Sequence, residues 1–227
     1  MSVPTRLPAA VADKLAERAL LRLVEGGLIP DAPLPGWGAY RRFRQRVRDT
    51  FQVPQTSVTP LMARLLYGIA YVARPARILV VGSYFGNTLV WLAGPGFGPH
   101  AEYEGGQALG VDVDAEATGG ARANLARLGM RAEVQVLDGH HAGAHGYDLV
   151  LLDADDPVRR KAVYLTLLAA LRPNLGPGAL VLAHDICVPL FADDMAAYKA
   201  AARDLGDSMS LEIDACGLEI SRVGVGA

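Results

Sequence analysis

Apolar residues recur at helical spacing in the first third of the chain. The pattern predicts three helices, over residues 11–26, 40–51 and 59–73. In the first of them, Leu15, Ala19 and Leu23 fall on one face, as in a helix that packs against a core. Thr59 followed by Pro60 is typical of a helix start, because threonine caps the first turn and proline fits its first position.

After residue 76 the pattern changes to short aliphatic runs that alternate with helical segments. It predicts strands over residues 78–81, 109–112, 133–137, 147–152 and 179–183, and helices over residues 115–128, 158–171 and 190–205. Two further strands, 210–213 and 218–223, are expected to form a closing antiparallel hairpin. Continuous aliphatic strands between helices indicate a parallel sheet that is covered on both faces. We therefore predict an α/β fold with a doubly wound, mostly parallel seven-stranded sheet in residues 76–227, preceded by a helical part in residues 1–75.

Composition and charge narrow the class of protein. Hydrophobic residues make up 51% of the 227 residues, which is enough to build a sizeable core. The formal net charge of -2 gives no electrostatic case for a nucleic-acid or membrane partner. The longest stretch without a charged residue, 78–101, is broken by glycines and prolines, so we do not expect it to span a bilayer. Two cysteines without metal-type spacing, and a start that does not read as a signal peptide, favour a cytoplasmic protein.

A glycine pair follows the first predicted strand, and an acidic residue ends each of the next three. Gly82 and Gly86 allow a tight turn whose backbone N–H groups face a ligand. Asp112, Asp138 and Asp153 end strands whose carboxyl ends meet at one edge of the sheet. A structural turn at the glycine pair and a solvated Asp112 are the alternatives to a binding site.

The spacing of this pattern favours a nucleoside ligand without phosphates. An acid in the position of Asp112 takes the ribose hydroxyls in dinucleotide and nucleoside folds. Asp138 is placed to accept a hydrogen bond from an adenine amino group. The glycine loop lacks a third glycine, which disfavours a dinucleotide pyrophosphate, and an adenosyl amino acid fits better.

From about residue 56 to residue 223 the chain resembles a known family, and four groups of residues carry the likeness. They are Gly82-Ser83-Tyr84-Phe85-Gly86-Asn87-Thr88, the triplet Asp153-Ala154-Asp155, the run Tyr164 with Leu171-Arg172-Pro173 and Gly176-Pro177-Gly178, and the pair His184-Asp185. The chain resembles the class I S-adenosylmethionine-dependent methyltransferases, and within them the catechol and caffeoyl-CoA O-methyltransferase type. The resemblance implies a Rossmann-like fold, S-adenosylmethionine as cofactor, and an N-terminal helical cap, residues 1–75, over the pocket.

The resemblance also implies which residues bind the cofactor. The glycine loop would surround its methionine part, Asp112 would bind the ribose and Asp138 would lie near the adenine. The implied set is Gly82, Ser83, Tyr84, Gly86, Thr88, Asp112, Val113, Asp138, Gly139 and Asp153.

The chain departs from the family pattern at three positions. Val80 stands where the family usually has an acid, and Asp156 stands where it has a lysine base. His184 replaces the first residue of the family's Asp-Asn pair, which binds Mg²⁺ together with the first aspartate of the triplet. Asp153 and Asp185 still offer the oxygen ligands that Mg²⁺ prefers, and a site without metal is the alternative.

His184 and Asp156 are the candidate catalytic bases. An unperturbed imidazole titrates near neutral pH, and a carboxylate can also accept a proton. The other histidines near the site, His140, His141 and His145, lie in the loop after Asp138 and are expected to be solvated.

These residues predict an enzyme that transfers the methyl group of S-adenosylmethionine to a small molecule, at oxygen. The departures at Val80 and Asp156 leave a second possibility, an enzyme that transfers or cyclises the aminocarboxypropyl group and releases methylthioadenosine. A non-catalytic nucleoside-binding module is the third. The net charge and the lack of a basic extension disfavour an RNA substrate, and a homodimer is left open.

Overall fold

The computed structural model describes residues 7–56, 58–143 and 146–224, so His145 lies outside the described residues. The chain begins with three helices, α1 (Ala9–Glu25), α2 (Trp37–Thr50) and α3 (Pro60–Ala73), close to the predicted bounds. The Thr59 side chain caps α3 by accepting a hydrogen bond from the backbone N of Met62 at 3.0 Å.

A seven-stranded sheet follows and confirms the predicted fold. Its strands are β1 (Arg77–Val81), β2 (Gln107–Asp112), β3 (Glu133–Val136), β4 (Tyr147–Leu152), β5 (Leu175–His184), β6 (Ser208–Leu211) and β7 (Leu218–Arg222). They lie in the order β3-β2-β1-β4-β5-β7-β6, and only β7 runs antiparallel to both of its neighbours. The order of strands reverses between β1 and β4, and ligands of doubly wound sheets bind at the carboxyl ends of such a pair.

Helices cover both faces of the sheet and divide the core in two. The remaining helices are α4 (Asn87–Phe97), α5 (Ala115–Leu128), α6 (Val163–Leu171) and α7 (Ala192–Arg203). Side chains alternate along β1, so Ile78 and Val80 pack with α1 to α5, while Leu79 and Val81 pack with α6 and α7. The N-terminal helices therefore share a core with the sheet, and the division at residue 75 stays a prediction. No helix of the described residues has the length and apolar character that crossing a bilayer requires.

Helix α4 contains residues that usually interrupt a helix. Glycine and proline at residues 94–96 are typical of a loop, yet α4 continues through Pro95 to Phe97. A Cβ atom at Gly94 would lie 2.6 Å from the Phe43 ring, and one at Gly96 would lie 2.5 Å from the Tyr103 ring. The helix needs glycine at these positions because neighbouring aromatic rings fill the space of a side chain.

Helix α6 begins at Val163 and not at residue 158, because a turn occupies the preceding residues. The Asp156 carboxylate accepts hydrogen bonds from the backbone N of Val158 at 2.9 Å and of Arg159 at 2.6 Å. The backbone N of Arg160 also donates to the Asp156 carbonyl oxygen at 2.9 Å. Strand β5 begins at Leu175 rather than at residue 179, and β6 begins two residues before its predicted start at residue 210.

A buried ion pair fixes α1 against α3. The Arg64 Nε atom lies 2.7 Å from Asp13 Oδ1, and both side chains are less than a tenth exposed. Asp13 Oδ2 also accepts a hydrogen bond from Arg41, whose side chain is half exposed. The Arg64 guanidinium lies over the Tyr40 ring, 5.0 Å from its centroid.

We expect Asp13→Ala to lower the free energy of unfolding by about 3–5 kcal/mol, because Arg64 would remain buried without its partner. The matched change Arg41→Ala removes a half-exposed partner of the same carboxylate and should cost about 1 kcal/mol or less. Urea denaturation of both variants measures the difference. Equal losses in the two variants would contradict this account of the pair.

Candidate active site

A cavity of about 700 Å³ opens at the carboxyl ends of β1, β2 and β4. The ends of these strands and the loops after them form its walls. Of the ten residues predicted to bind a cofactor, all but Gly86 line it: Gly82, Ser83, Tyr84, Thr88, Asp112, Val113, Asp138, Gly139 and Asp153. The fold therefore brings the predicted residues to one cavity although they extend over 71 positions of the chain, from Gly82 to Asp153.

The glycine loop takes a strained, closely packed turn between β1 and α4. Gly82 has φ +80°, and a Cβ atom there would lie 2.5 Å from the Ala154 backbone. Gly86, with φ +83°, lies outside the cavity wall and forms the N-cap of α4. Tyr84 also has a positive φ, of 47°, which non-glycine residues rarely adopt. Gly82 and Gly86 are therefore required by the backbone, whatever ligand the loop binds.

Asp112 holds this loop in place. Its Oδ2 accepts a hydrogen bond from the backbone N of Tyr84 at 2.7 Å, and its Oδ1 accepts one from the backbone N of Asp114 at 3.0 Å. A carboxylate has about four lone-pair sites, so both oxygens can still accept a hydroxyl. The alternative of a merely solvated Asp112 does not fit these contacts.

Asp138 is held by its neighbour His140. Asp138 Oδ1 accepts from the His140 backbone N at 2.9 Å and lies 2.6 Å from its ring Nδ1, while the ring Nε2 lies 2.7 Å from Thr166 Oγ1. The backbone and ring hydrogen bonds of His140 hold the pKa of the Asp138 carboxyl below its usual range. His140 is thus partly buried and bonded at both ring nitrogens, whereas His141 is exposed as expected.

An apolar wall lies between the two acids. Val113, at one end of this wall, is 72% exposed. Leu137, in the segment after β3, also borders the cavity. An exposed aliphatic side chain next to two hydrogen-bonding carboxylates suits a flat aromatic ring that carries a sugar.

A cluster of buried charges forms the other wall, beyond the triplet 153–155. The Nδ1 atom of His184 lies 3.1 Å from Asp153 Oδ1 and 3.2 Å from Asp185 Oδ1. Burial alone would lower the pKa of His184, but the two carboxylates outweigh it and the pKa is raised. His184 is fully buried and does not border the cavity, and its Nε2 has no hydrogen-bond partner in the part of the chain that the structure describes. Its predicted role as a base stays a prediction, and the geometry favours a role in positioning Asp153 and Asp185.

Lys161 completes this cluster, and the sequence reasoning missed it. Its Nζ atom lies 2.9 Å from Asp185 Oδ2 and donates to the Ala154 carbonyl oxygen at 2.9 Å and to the Tyr164 hydroxyl at 3.0 Å. Burial alone would raise the pKa of Asp185, but the charges of His184 and Lys161 lower it. The sequence offered one signal for Lys161, which is the rarity of lysine in this chain: it is one of three lysines among 22 basic residues.

Asp156, the second predicted base, lines the cavity. Its carboxylate is engaged by the turn described above, and those backbone hydrogen bonds hold the pKa of the Asp156 carboxyl below its usual range. A carboxylate whose charged form is already stabilised is a weak base. The structure therefore supports a structural role for Asp156, and its catalytic role stays a prediction.

Backbone strain is concentrated around the cavity. Among the described residues, four that are not glycine have a positive φ, and Arg74 is the C-cap of α3. The other three are Tyr84 in the glycine loop, Arg160 before Lys161, and Asp185 after β5. Strained residues cluster at functional sites in proteins, which adds weight to this cavity as the active site.

Known structures share the fold. The O-methyltransferase from Bacillus cereus in complex with SAH is 16% identical over 92% of this chain and 99% of its own, with a TM-score of 0.58. The O-methyltransferase TomG from Streptomyces achromogenes, in complex with SAM, is 18% identical over the same shares, with a TM-score of 0.58. The tRNA (m1A58) methyltransferase TrmI from Aquifex aeolicus is 14% identical over 80% of this chain and 75% of its own, with a TM-score of 0.62.

The chain has the fold of a class I methyltransferase. No protein-family model matches the chain, and no curated protein sequence is similar to it. At identities of 14 to 18%, the structural likeness shows the fold and leaves the substrate open.

We expect the stability that His184 adds to decrease with rising pH. Because its pKa is raised in the folded chain, its contribution is complete below the unfolded value of about 6.5 and is lost as pH rises through the folded value. Urea denaturation of the wild type and His184→Gln from about pH 6 to about pH 9 measures this difference. The decrease should be smaller in an Asp153→Asn background, where one of the two carboxylates is removed. A difference that is constant over this range would contradict the raised pKa.

Proposed function

We propose that the chain is a methyltransferase that uses S-adenosylmethionine and methylates a small molecule at oxygen. One observation carries the proposal. The Gly82 loop, Asp112 and Asp138 together form one wall of the cavity, opposite the buried charges around Asp153. The fold and the SAH- or SAM-bound state of the structures that share it support the cofactor.

The residues of the cavity fit this cofactor. Asp112 would bind the ribose hydroxyls and at the same time fix the loop, because its carboxylate already holds the backbone N of Tyr84. Val113 and Leu137 would contact the adenine ring, and Asp138 would accept from its amino group. The Ser83 hydroxyl, which has no hydrogen-bond partner among the described residues, lines the cavity and would donate to the amino acid part. S-adenosylmethionine supplies a methyl group that is activated by the neighbouring sulfonium.

The charged wall would prepare the acceptor. Asp153 and Asp185 border the cavity, so an acceptor hydroxyl that enters it can donate to either carboxylate. Asp185 is bonded to Lys161 and its pKa is lowered, which disfavours Asp185 as the proton acceptor and leaves that role to Asp153. His184 would hold Asp153 in place from behind. The segment before α3, at Gln55, Thr56 and Val58, borders the cavity and would help to exclude water.

One observation favours the second candidate function, which is chemistry on the aminocarboxypropyl group. Val80 is fully buried among aliphatic side chains, so the acidic contact of the family to the amino acid part is absent at this position. A different anchor for that part would turn a different carbon of the sulfonium toward the acceptor. A cytoplasmic location, a homodimer and the absence of a nucleic-acid partner stay predictions.

We expect Asp112→Ala to weaken the binding of S-adenosylhomocysteine by roughly 1.5–3 kcal/mol, which is the range for a hydrogen bond to a charged group. Asp148→Ala is the matched control, because its carboxylate also accepts from a backbone N at 2.7 Å, from Arg77 at the opposite edge of the sheet. Isothermal titration calorimetry measures both. Wild-type protein that binds neither cofactor nor product, or unchanged affinity in Asp112→Ala, would refute the assignment.

We expect methyl transfer to yield S-adenosylhomocysteine as the nucleoside product. The purified protein is incubated with S-adenosylmethionine alone and then with a panel of phenols and hydroxy acids, and the nucleosides are identified by mass spectrometry. Methylthioadenosine above the level of a no-enzyme control, without S-adenosylhomocysteine, would favour the second candidate. A transfer RNA arm in the same assay tests the substrate of the TrmI neighbour.

A further inference from the structure

Lys161 brings a fully hydrogen-bonded positive charge into the site. Its ammonium group has three protons and three partners: Asp185 Oδ2, the Ala154 carbonyl oxygen and the Tyr164 hydroxyl. The Nζ atom also lies 5.0 Å from the centroid of the Tyr164 ring and 5.7 Å from that of Phe191. The side chain is 3% exposed, so the positive charge is enclosed by protein and compensated there.

This ammonium stands at a carboxylate that the family resemblance gives to a metal. Mg²⁺ would need Asp153 and Asp185 as ligands, within an octahedral shell of oxygens. Asp185 presents one oxygen to Lys161 and the other to His184, and Asp153 Oδ1 also faces His184. An ammonium 2.9 Å from a carboxylate oxygen leaves no room for a divalent cation at that oxygen, and it would repel one nearby. The residues present do not fit Mg²⁺.

A second possible group of ligands meets the same obstacle. One ligand atom each from His184, Asp185 and Cys216 lie within 4.8 Å of one another, in the part of the chain that the structure describes. The Cys216 thiol is hydrogen-bonded to the Asp185 carboxylate, and that carboxylate is already paired with Lys161. A softer metal on these three atoms would have to replace the thiol proton, and it would lie at a carboxylate whose other oxygen holds an ammonium that repels it.

We propose that Lys161 is the resident cation of this site and that the site works without a divalent metal. This inference rests on the proposed function in one respect, because it takes Asp153 and Asp185 as the residues that bind the metal in the family. The ion pairs themselves are seen in the structure and do not depend on the function. It has a consequence for the substrate class. A metal selects acceptors with two adjacent oxygens that can chelate it, whereas a site that Lys161 fills needs one hydroxyl, which donates to a carboxylate.

The first experiment measures metal binding without any turnover. Chelator-treated wild type and Asp185→Asn are titrated with Mn²⁺, and the free ion is followed by its electron paramagnetic resonance signal. Asparagine tolerates the positive φ of position 185, so the variant keeps the backbone. We expect the wild type to bind no more Mn²⁺ than Asp185→Asn. One Mn²⁺ per chain that is lost in Asp185→Asn would overturn the proposal, and so would Zn²⁺ retained on dialysis by the wild type and lost in Cys216→Ser.

The second experiment asks whether Lys161 is what excludes the metal. Lys161→Ala removes the ammonium from the Asp185 carboxylate, so we expect the variant to bind Mn²⁺ at least roughly tenfold more tightly than the wild type. Lys161→Gln serves if the alanine variant does not fold, and Lys14→Gln, on the exposed side of α1, is the control that should change nothing. A folded Lys161 variant without this gain would overturn the assignment of the cation position to Lys161.

Calorimetry with S-adenosylhomocysteine on the same wild-type sample separates this proposal from the proposed function. Protein that binds both the nucleoside and Mn²⁺ would refute the metal-free site alone. Protein that binds neither would refute the cofactor assignment and leave the cation assignment supported. The wild-type titration decides the metal question even if no Lys161 variant folds.

Discussion

The buried carboxylate of Asp185 sets the constraint on which the site depends. A carboxylate that is removed from water is tolerated only when positive charge and hydrogen bonds replace its hydration. Lys161 and His184 supply both, one at each oxygen. Asp185 meets them at the end of β5 in a left-handed backbone conformation, at φ +66°. The strain at this position is a cost that the two ion pairs offset, and it fixes the edge of the cavity at β5.

Ala154 links this charged wall to the glycine loop. Its backbone lies so close to Gly82 that a Cβ atom there would approach within 2.5 Å, and its carbonyl oxygen accepts a hydrogen bond from Lys161. The end of β4 is therefore held between the loop that would bind the cofactor and the cation that holds Asp185. A shift of Lys161 would move Ala154 and would be felt at Gly82. The two walls of the cavity are one mechanical unit, which suits a reaction whose donor and acceptor must be aligned.

The parts of the site that follow strand ends could be predicted from the sequence. A parallel sheet brings the carboxyl ends of its strands to one edge, so Asp112, Asp138 and Asp153 had to meet once the strands were recognised. Periodicity could not show that the ring of His184 lies behind the carboxylates, because burial of a residue at a strand end depends on the loops that close over it. The continuation of α4 through Pro95 was hidden for a similar reason, since only the contacts with Phe43 and Tyr103 make glycine suitable there.

The position of Lys161 shows how a local exchange of charge can hide a site. The family's lysine is expected at residue 156, where this chain has an aspartate. That aspartate accepts hydrogen bonds from the backbone N of Val158 and of Arg159 and closes a turn. The turn places Arg160 in a left-handed conformation, and the next residue, Lys161, then enters the protein interior and reaches Asp185. The lysine of the site thus comes from five residues further along the chain, and the turn that the carboxylate at 156 closes is what positions it there. When the chain is compared with the family position by position, an aspartate stands in place of the lysine. In the three-dimensional structure, a lysine lies beside the carboxylate that binds a metal in the family.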